Sequence, residues 1–500
     1  MFPLHDQEDL TKLYSSWNRI NPPLEDIRNY YGESVALYWS FAETYTKFLT
    51  LIALLGAAEF ICEYNGVNYI GSNLLFSIFN LLCLAVFFEV WKRKANRHSF
   101  NWGTSGKLRR KPPRPEYRGE LRLNPVTGRE EMYSSSGTRL RKILFLSFPI
   151  TLGCLLLAFF LMLASFEADL WLAEALMDPD TGELASDPLS TILLYLPSIA
   201  YSLSIIFFNK NYLKLARRLT TWENHRTEEQ HDTHITLKLI TFEFVNTFMA
   251  LFYLGFYQND LTGLRSQLFT TLIVQQMVNQ VQEVVIPLAL HKPAAMKFMN
   301  KMSQKMGVVV QPEMKNIKGV TDLKSDDDSV GAANRDMLAE PLDTLHDDFM
   351  ELWLQFGHVF LFSAVYPLAA CFAFANNLTE LVADRYKLCK LSRKPKVLAV
   401  RDIGAWYLAF RITALLSIIS NCALLALDLR DTVGEGWTDI EWMGMFLAIE
   451  HVFLVLFLGV NQFISDTPKD VKLAQDKTDF HFKHVHVKQQ KETKITLCHN

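Results

Sequence analysis

The run Ile143-Leu-Phe-Leu-Ser-Phe-Pro-Ile-Thr-Leu-Gly-Cys-Leu-Leu-Leu-Ala-Phe-Phe-Leu-Met-Leu-Ala-Ser165 contains no charged residue. An α-helix rises ~1.5 Å per residue, so ~20 apolar residues cross a hydrocarbon core of ~30 Å. Comparable runs recur at 36–62, 70–90, 143–165, 189–208, 236–257, 266–290, 348–366, 367–386, 404–427 and 442–464. They predict an all-α integral membrane protein with ten transmembrane helices. Composition agrees, because a 500-residue chain that is 50% hydrophobic and 13% aromatic leaves little room for disorder. A net charge of −3 excludes a broadly basic nucleic-acid binder, and no nucleic-acid partner is expected.

The loops give an independent reading. Segment 91–142 carries 15 Lys and Arg against four Glu, whereas 166–188 has seven acids and no Lys or Arg. Basic residues number five in 209–234, eight in 291–347, six in 387–402 and seven in the tail 465–500. The intervening loops hold none in 63–69, Arg265 alone in 258–265 and Arg430 alone in 428–441. This alternation places both termini in the cytosol. The sequence starting at Met1 lacks a basic stretch followed by an apolar one, so no cleaved signal peptide is expected. Residues 1–35 and 465–500 are read as short cytosolic segments holding a helix or two. Residues 36–464 are the ten-span domain, and 291–347 is a cytosolic connector. The seven cysteines stand singly, without a CxxC pair, and read as packed thiols. Asn377-Leu-Thr379 fits a glycosylation pattern but lies inside an apolar span and is discounted.

The informative residues are polar ones that lipid does not tolerate, since a carboxylate at mid-membrane costs at least ~2.5 kcal/mol. Span six has Asn279 and Glu283 on one helical face, span seven opens with Asp348 and Glu351, and span eight closes with Asn376, Glu380 and Asp384. With the predicted orientation all seven lie at a similar depth toward the inner leaflet. Five carboxylates with no Lys or Arg on the same faces do not all stay ionised unless a cation joins them. Oxygen donors without His or Cys suit Ca²⁺ and argue against zinc. Two ions bring +4 against −5, nearer neutrality than one. Blander readings stand beside this one. Asp347 and Asp348 also suit a helix start, Glu380 and Asp384 a solvated helix end beside Arg385, and Glu283 a neutral buried acid.

These residues sit among motifs that resemble the anoctamin family of calcium-activated chloride channels and phospholipid scramblases. The motifs are Ile27-Arg-Asn-Tyr-Tyr-Gly-Glu33, Phe88-Glu-Val-Trp-Lys-Arg93, Trp102-Gly-Thr104, Arg114-Pro-Glu-Tyr-Arg-Gly119 and Asn124-Pro-Val-Thr-Gly-Arg-Glu130. Trp222-Glu-Asn-His225, Gln355-Phe-Gly357, Asn376-Asn377 and Asp402-Ile-Gly404 continue the match, which runs almost end to end and is nearest the anoctamin-10-like branch. The resemblance implies that Asn279, Glu283, Asp348, Glu351, Asn376, Glu380 and Asp384 hold two Ca²⁺ per subunit, with Asp348 where many members have Glu. It also implies a secondary site for a third ion at Glu89 and Asp466. It further implies a homodimer through span ten, with a groove from spans three to seven in each subunit. Glu243, Asn246, Gln275 and Gln276 are candidates to line that groove, or equally to form interhelical hydrogen bonds. The expected activity is calcium-activated passive transport of phospholipids, chloride or other small ions, in the endoplasmic reticulum or another intracellular membrane rather than the plasma membrane.

Two departures from the family pattern stand out. About 35 residues precede span one, where members usually carry a cytosolic α/β domain. No Gly lies between Leu264 and Met306 to hinge span six, which leaves Pro287 as its weak point. The rival readings are a membrane tether without transport and a proton-coupled carrier using the same acids. No nucleophile–base pair or phosphate-cradling loop suggests an enzyme.

Overall fold

The computed structural model describes residues 3–17, 21–65, 72–104, 112–124, 128–176, 196–275, 345–397, 399–433 and 438–498. Two short helices lead, α1 (Gln7–Ser16) and α2 (Leu24–Tyr31). Asp6 caps α1 by accepting from the amides of Glu8 and Asp9. Gly32, with φ of +97°, ends α2 and lets α3 (Glu33–Tyr64) start immediately. Then come α4 (Ser72–Asn101) and a hairpin of β1 (Glu120–Leu123) and β2 (Glu130–Tyr133), antiparallel with Glu120 opposite Tyr133. An all-α expectation omitted this hairpin. It lies in the charged stretch between two apolar runs, where Gly128 takes a positive φ and its amide bonds to Asn124 O.

The chain continues through α5 (Ser136–Lys142), α6 (Phe148–Ala175), α7 (Leu196–Glu223), α8 (Glu228–Phe252) and α9 (Leu261–Thr270). Then follow α10 (His346–Phe360), α11 (Ala369–Tyr386), α12 (Ala405–Val433), α13 (Asp439–Phe463) and α14 (Lys469–Cys498). Among the described residues, single π-helical turns adjoin these helices at Ile143–Ser147, Tyr253–Tyr257, Thr271–Gln275 and Lys387–Leu391. Among the described residues, six helical stretches are long and apolar enough to cross a membrane: Glu33–Cys62, Leu74–Asn101, Ser136–Leu172, Glu228–Tyr257, Ala405–Leu427 and Ile440–Val460.

The main core is aromatic. Phe41 of α3 packs on Trp91 of α4 at 4.9 Å and on Phe410 of α12 at 4.8 Å, and Phe410 meets Phe356 of α10 at 5.1 Å. A second cluster joins α6, α7 and α8, where Tyr212 stacks on Phe242 at 3.9 Å. The segment expected to be one helix over 348–366 instead stops at Phe360 and turns, with Leu361 and Phe362 fully buried. Apolar surroundings demand partners for the freed backbone groups. Asn421 of α12 supplies them, donating to Phe360 O (2.7 Å) and accepting from Ala364 N (2.8 Å), while Ser420 donates to Leu361 O.

The first helices clamp the far end of α11. The His5 ring lies between the Tyr30 hydroxyl (3.0 Å) and the Ser392 carbonyl (3.1 Å). Arg385 donates to Trp17 O, and Tyr31 donates to Leu388 O at 3.2 Å.

Candidate metal centre

Asp348 lies in the first turn of α10, and Glu351 follows one turn later on the same face. Leu345 occupies the N-cap position without a side-chain bond, so Asp348 does not serve as the cap. Asn376, Glu380 and Asp384 run down one stripe of α11, which packs against α3 and α10. Glu380 and Asp384 are each only 6% exposed, which a solvated helix end would not be. Asp384 stands within reach of the charges of both Asp348 and Glu380.

Two groups absent from the sequence reading complete the cluster. Tyr38 of α3, 2% exposed, donates its hydroxyl to Asp384 Oδ2 at 2.6 Å. Lys387, at the start of the π turn after α11, places its ammonium 3.1 Å from Asp348 Oδ1. The premise that no basic side chain shares these faces is therefore corrected. Lys387 stands three residues past Asp384 and extends the stripe of 376, 380 and 384, a spacing visible in the sequence. Tyr38 had no such signal, because it lies more than three hundred residues away along the chain. Tyr38, Asp348, Asp384 and Lys387 line a common cleft.

Asn279, Glu283 and Gln276 lie outside the described residues, as does the side chain of Gln275. Glu89 of α4 is 2% exposed, and its Oε2 meets no hydrogen-bond donor among the described residues. Asp466 follows α13 and pairs with Lys92 of α4, so the two predicted secondary acids flank one helix-helix contact. Of the groove candidates, buried Asn246 donates to Asn209 of α7 at 2.8 Å, and Glu243 shares the same Asn209. Asn377 is 1% exposed and faces Thr46 Oγ1 at 3.3 Å.

A second titratable group lies at the α7–α8 corner, where donor atoms of Glu223, His225 and His234 come within 4.8 Å of one another. Glu223 is fully buried, with Oε2 2.7 Å from His225 Nε2 and Oε1 2.8 Å from Lys238 Nζ. Burial pushes its carboxyl up, but hydrogen bonds from His225, Lys238 and Ser147 and the Lys238 charge outweigh burial and hold it at about 2. The carboxylate already has its cation, so this corner is an ion-paired joint. Around it two of the sequence motifs interlock: Asn224 donates to Arg118 O (2.6 Å) and accepts from Arg118 N (3.0 Å), and Arg114 pairs with Glu228 at 2.7 Å.

A model of the family described as "Anoctamin: Calcium-activated chloride channel" matches residues 27–478. Anoctamin-10 of Mus musculus is 35% identical over 490 residues, covering 96% of this chain and 70% of that protein. Anoctamin-10 of Danio rerio is 35% identical over 484 residues, covering 96% and 71%. Anoctamin-8 of Mus musculus is 33% identical over 293 residues, covering 57% of this chain and 27% of that protein. Matched over nearly its whole length, the chain belongs to the anoctamin family.

Proposed function

We propose that the chain moves phospholipids, chloride or other small anions passively across a membrane, under calcium control. Family membership supports a general channel or scramblase role in a multi-pass membrane protein. The observation that supports calcium control is the cleft that Asp348 of α10 shares with buried Asp384 of α11, one helical turn past buried Glu380. An all-oxygen set fits Ca²⁺, which takes six to eight such ligands. Asn279, Glu283, Asp348, Glu351, Asn376, Glu380 and Asp384 would hold two ions. Glu89, with its unmatched buried oxygen, and Asp466 would hold a third.

Calcium, when bound, supplies the positive charge that lets the carboxylates stay ionised side by side. The chain's own residues do the gating. Repulsion among Glu283, Asp348, Glu351, Glu380 and Asp384 biases the segment carrying Glu283 away from α10 and α11, and relief of that repulsion lets it approach. A ~3 kcal/mol difference in affinity between the two arrangements shifts the populations about a hundredfold. The groove is formed by spans three to seven of ten, with both termini cytosolic. Glu243, Asn246, Gln275 and Gln276 lie along it. The homodimer packs through α13, which presents exposed Ile440, Met443, Leu447 and Val455. The membrane is the endoplasmic reticulum or another intracellular one.

The test is reconstitution of the full chain in liposomes, with fluorescent-lipid flipping and chloride efflux followed side by side with and without calcium. Both fluxes rise with calcium, or one does, and Asp384→Ala moves the response to at least tenfold higher calcium. Uptake driven by pH alone supports the proton-coupled carrier instead. Absence of any flux supports the tether.

A further inference from the structure

The carboxylate cluster carries a cation of its own. Lys387 Nζ lies 3.1 Å from Asp348 Oδ1, with the two side chains 23% and 10% exposed, so the pair is largely shielded from water. The lysine is anchored three residues beyond Asp384 and reaches across to α10, tying together the two helices whose acids face the same cleft. An ammonium is a compact charge on a flexible stem with three donors and no acceptor. It therefore satisfies a carboxylate well, and it withdraws by rotamer change when a stronger cation arrives.

Charge balance sets the lysine and a metal against each other. The two acids that line the cleft, Asp348 and Asp384, carry −2 when ionised; Lys387 offsets one of those charges, and a divalent ion in its place offsets both. Asp348 cannot give the same oxygen lone pairs to Lys387 and to a metal at full strength. We infer that Lys387 is a tethered competitor at this site: it holds Asp348 until a divalent cation displaces it, and so sets the calcium threshold. The inference rests on the calcium reading given above.

The test is the thermal unfolding midpoint of the purified full chain in detergent, titrated with buffered free calcium, a readout independent of transport. Lys387→Gln removes the competitor. It should lower the calcium concentration for half-maximal stabilisation about tenfold, and lower the midpoint without calcium because Asp348 loses its counter-ion. Lys387→Arg keeps the charge and adds a bidentate fork, so it should raise the threshold at least threefold. Lys390→Gln removes an equal charge from a lysine that lies over the Tyr14 ring, outside the cleft, and should leave the threshold within twofold. If Lys387→Gln does not fold, the Lys387→Arg shift decides alone. A wild-type calcium response with an unmoved threshold in the Lys387 variants overturns this inference alone. A wild-type chain that calcium does not stabilise overturns the calcium reading and this inference with it.

Discussion

Tyr38→Phe removes one oxygen atom and little else. The ring keeps its packing against Phe349 at 5.1 Å and Trp39 at 6.0 Å, while the 2.6 Å hydrogen bond to Asp384 Oδ2 disappears. Removing one partner of a buried hydrogen bond leaves the other unsatisfied at a cost of ~1–3 kcal/mol, and these partners are 2% and 6% exposed, so water does not replace it. The variant should therefore lose ~2 kcal/mol of calcium-free stability. Asp384→Ala removes the same bond from its acceptor side. The two substitutions together should cost at least ~1 kcal/mol less than their sum. The assay is denaturant unfolding of wild type, both single variants and the double variant in detergent with a calcium chelator. Additivity within ~0.5 kcal/mol would show that α3 and α11 are not coupled through this bond, and would refute the reasoning.

Glu223→Gln tests the α7–α8 joint. The carboxyl falls from 4.5 to about 2 on folding, so its ionised form contributes ~3 kcal/mol above pH 4.5, lost as the pH drops toward 2. Unfolding at pH 7, 4 and 3 should show the gap between wild type and variant shrinking with acid, and a constant gap would count against the ion pair. Gly56→Ala builds a Cβ 2.3 Å from the Pro367 carbonyl oxygen, a backbone atom with little freedom to yield, and should cost ~1–3 kcal/mol. Gly153→Ala in α6 meets nothing within 4 Å and should be neutral or stabilising by ~0.5–1 kcal/mol. Equal effects of these two on the unfolding midpoint would contradict the described packing.

Helix positions were legible because hydropathy dictates them. The uncharged run at 143–165 became the π turn at Ile143–Ser147 and the start of α6. The break after Phe360 was not legible, because its cause is Ser420 and Asn421, about sixty residues on. Hydropathy reads 348–366 as continuous, and only tertiary contact shows where the carbonyls are captured. The β hairpin is illegible for a related reason, since four-residue strands rich in charged residues carry little apolar alternation. At the candidate site the acids stood out as carboxylates in apolar runs. Lys387 falls just past the apolar run that ends at 386, so hydropathy groups it with the loop charges and not with the stripe it completes. Tyr38 looked like one more aromatic in an apolar helix, and its role depends on a fold-level neighbour.

The contacts of His5, Trp17 and Tyr31 with Ser392, Arg385 and Leu388 join α1 and α2 to the base of α11, next to Asp384. Lys12, on the outer face of α1, is 67% exposed, pairs with Glu8 and does not line the acidic cleft. A fluorophore attached there would travel with the base of α11 without disturbing it. Paired with a second dye on α10, it would turn sub-nanometre displacement at the acidic cluster into an optical signal, even in a bilayer where the cluster itself is out of chemical reach.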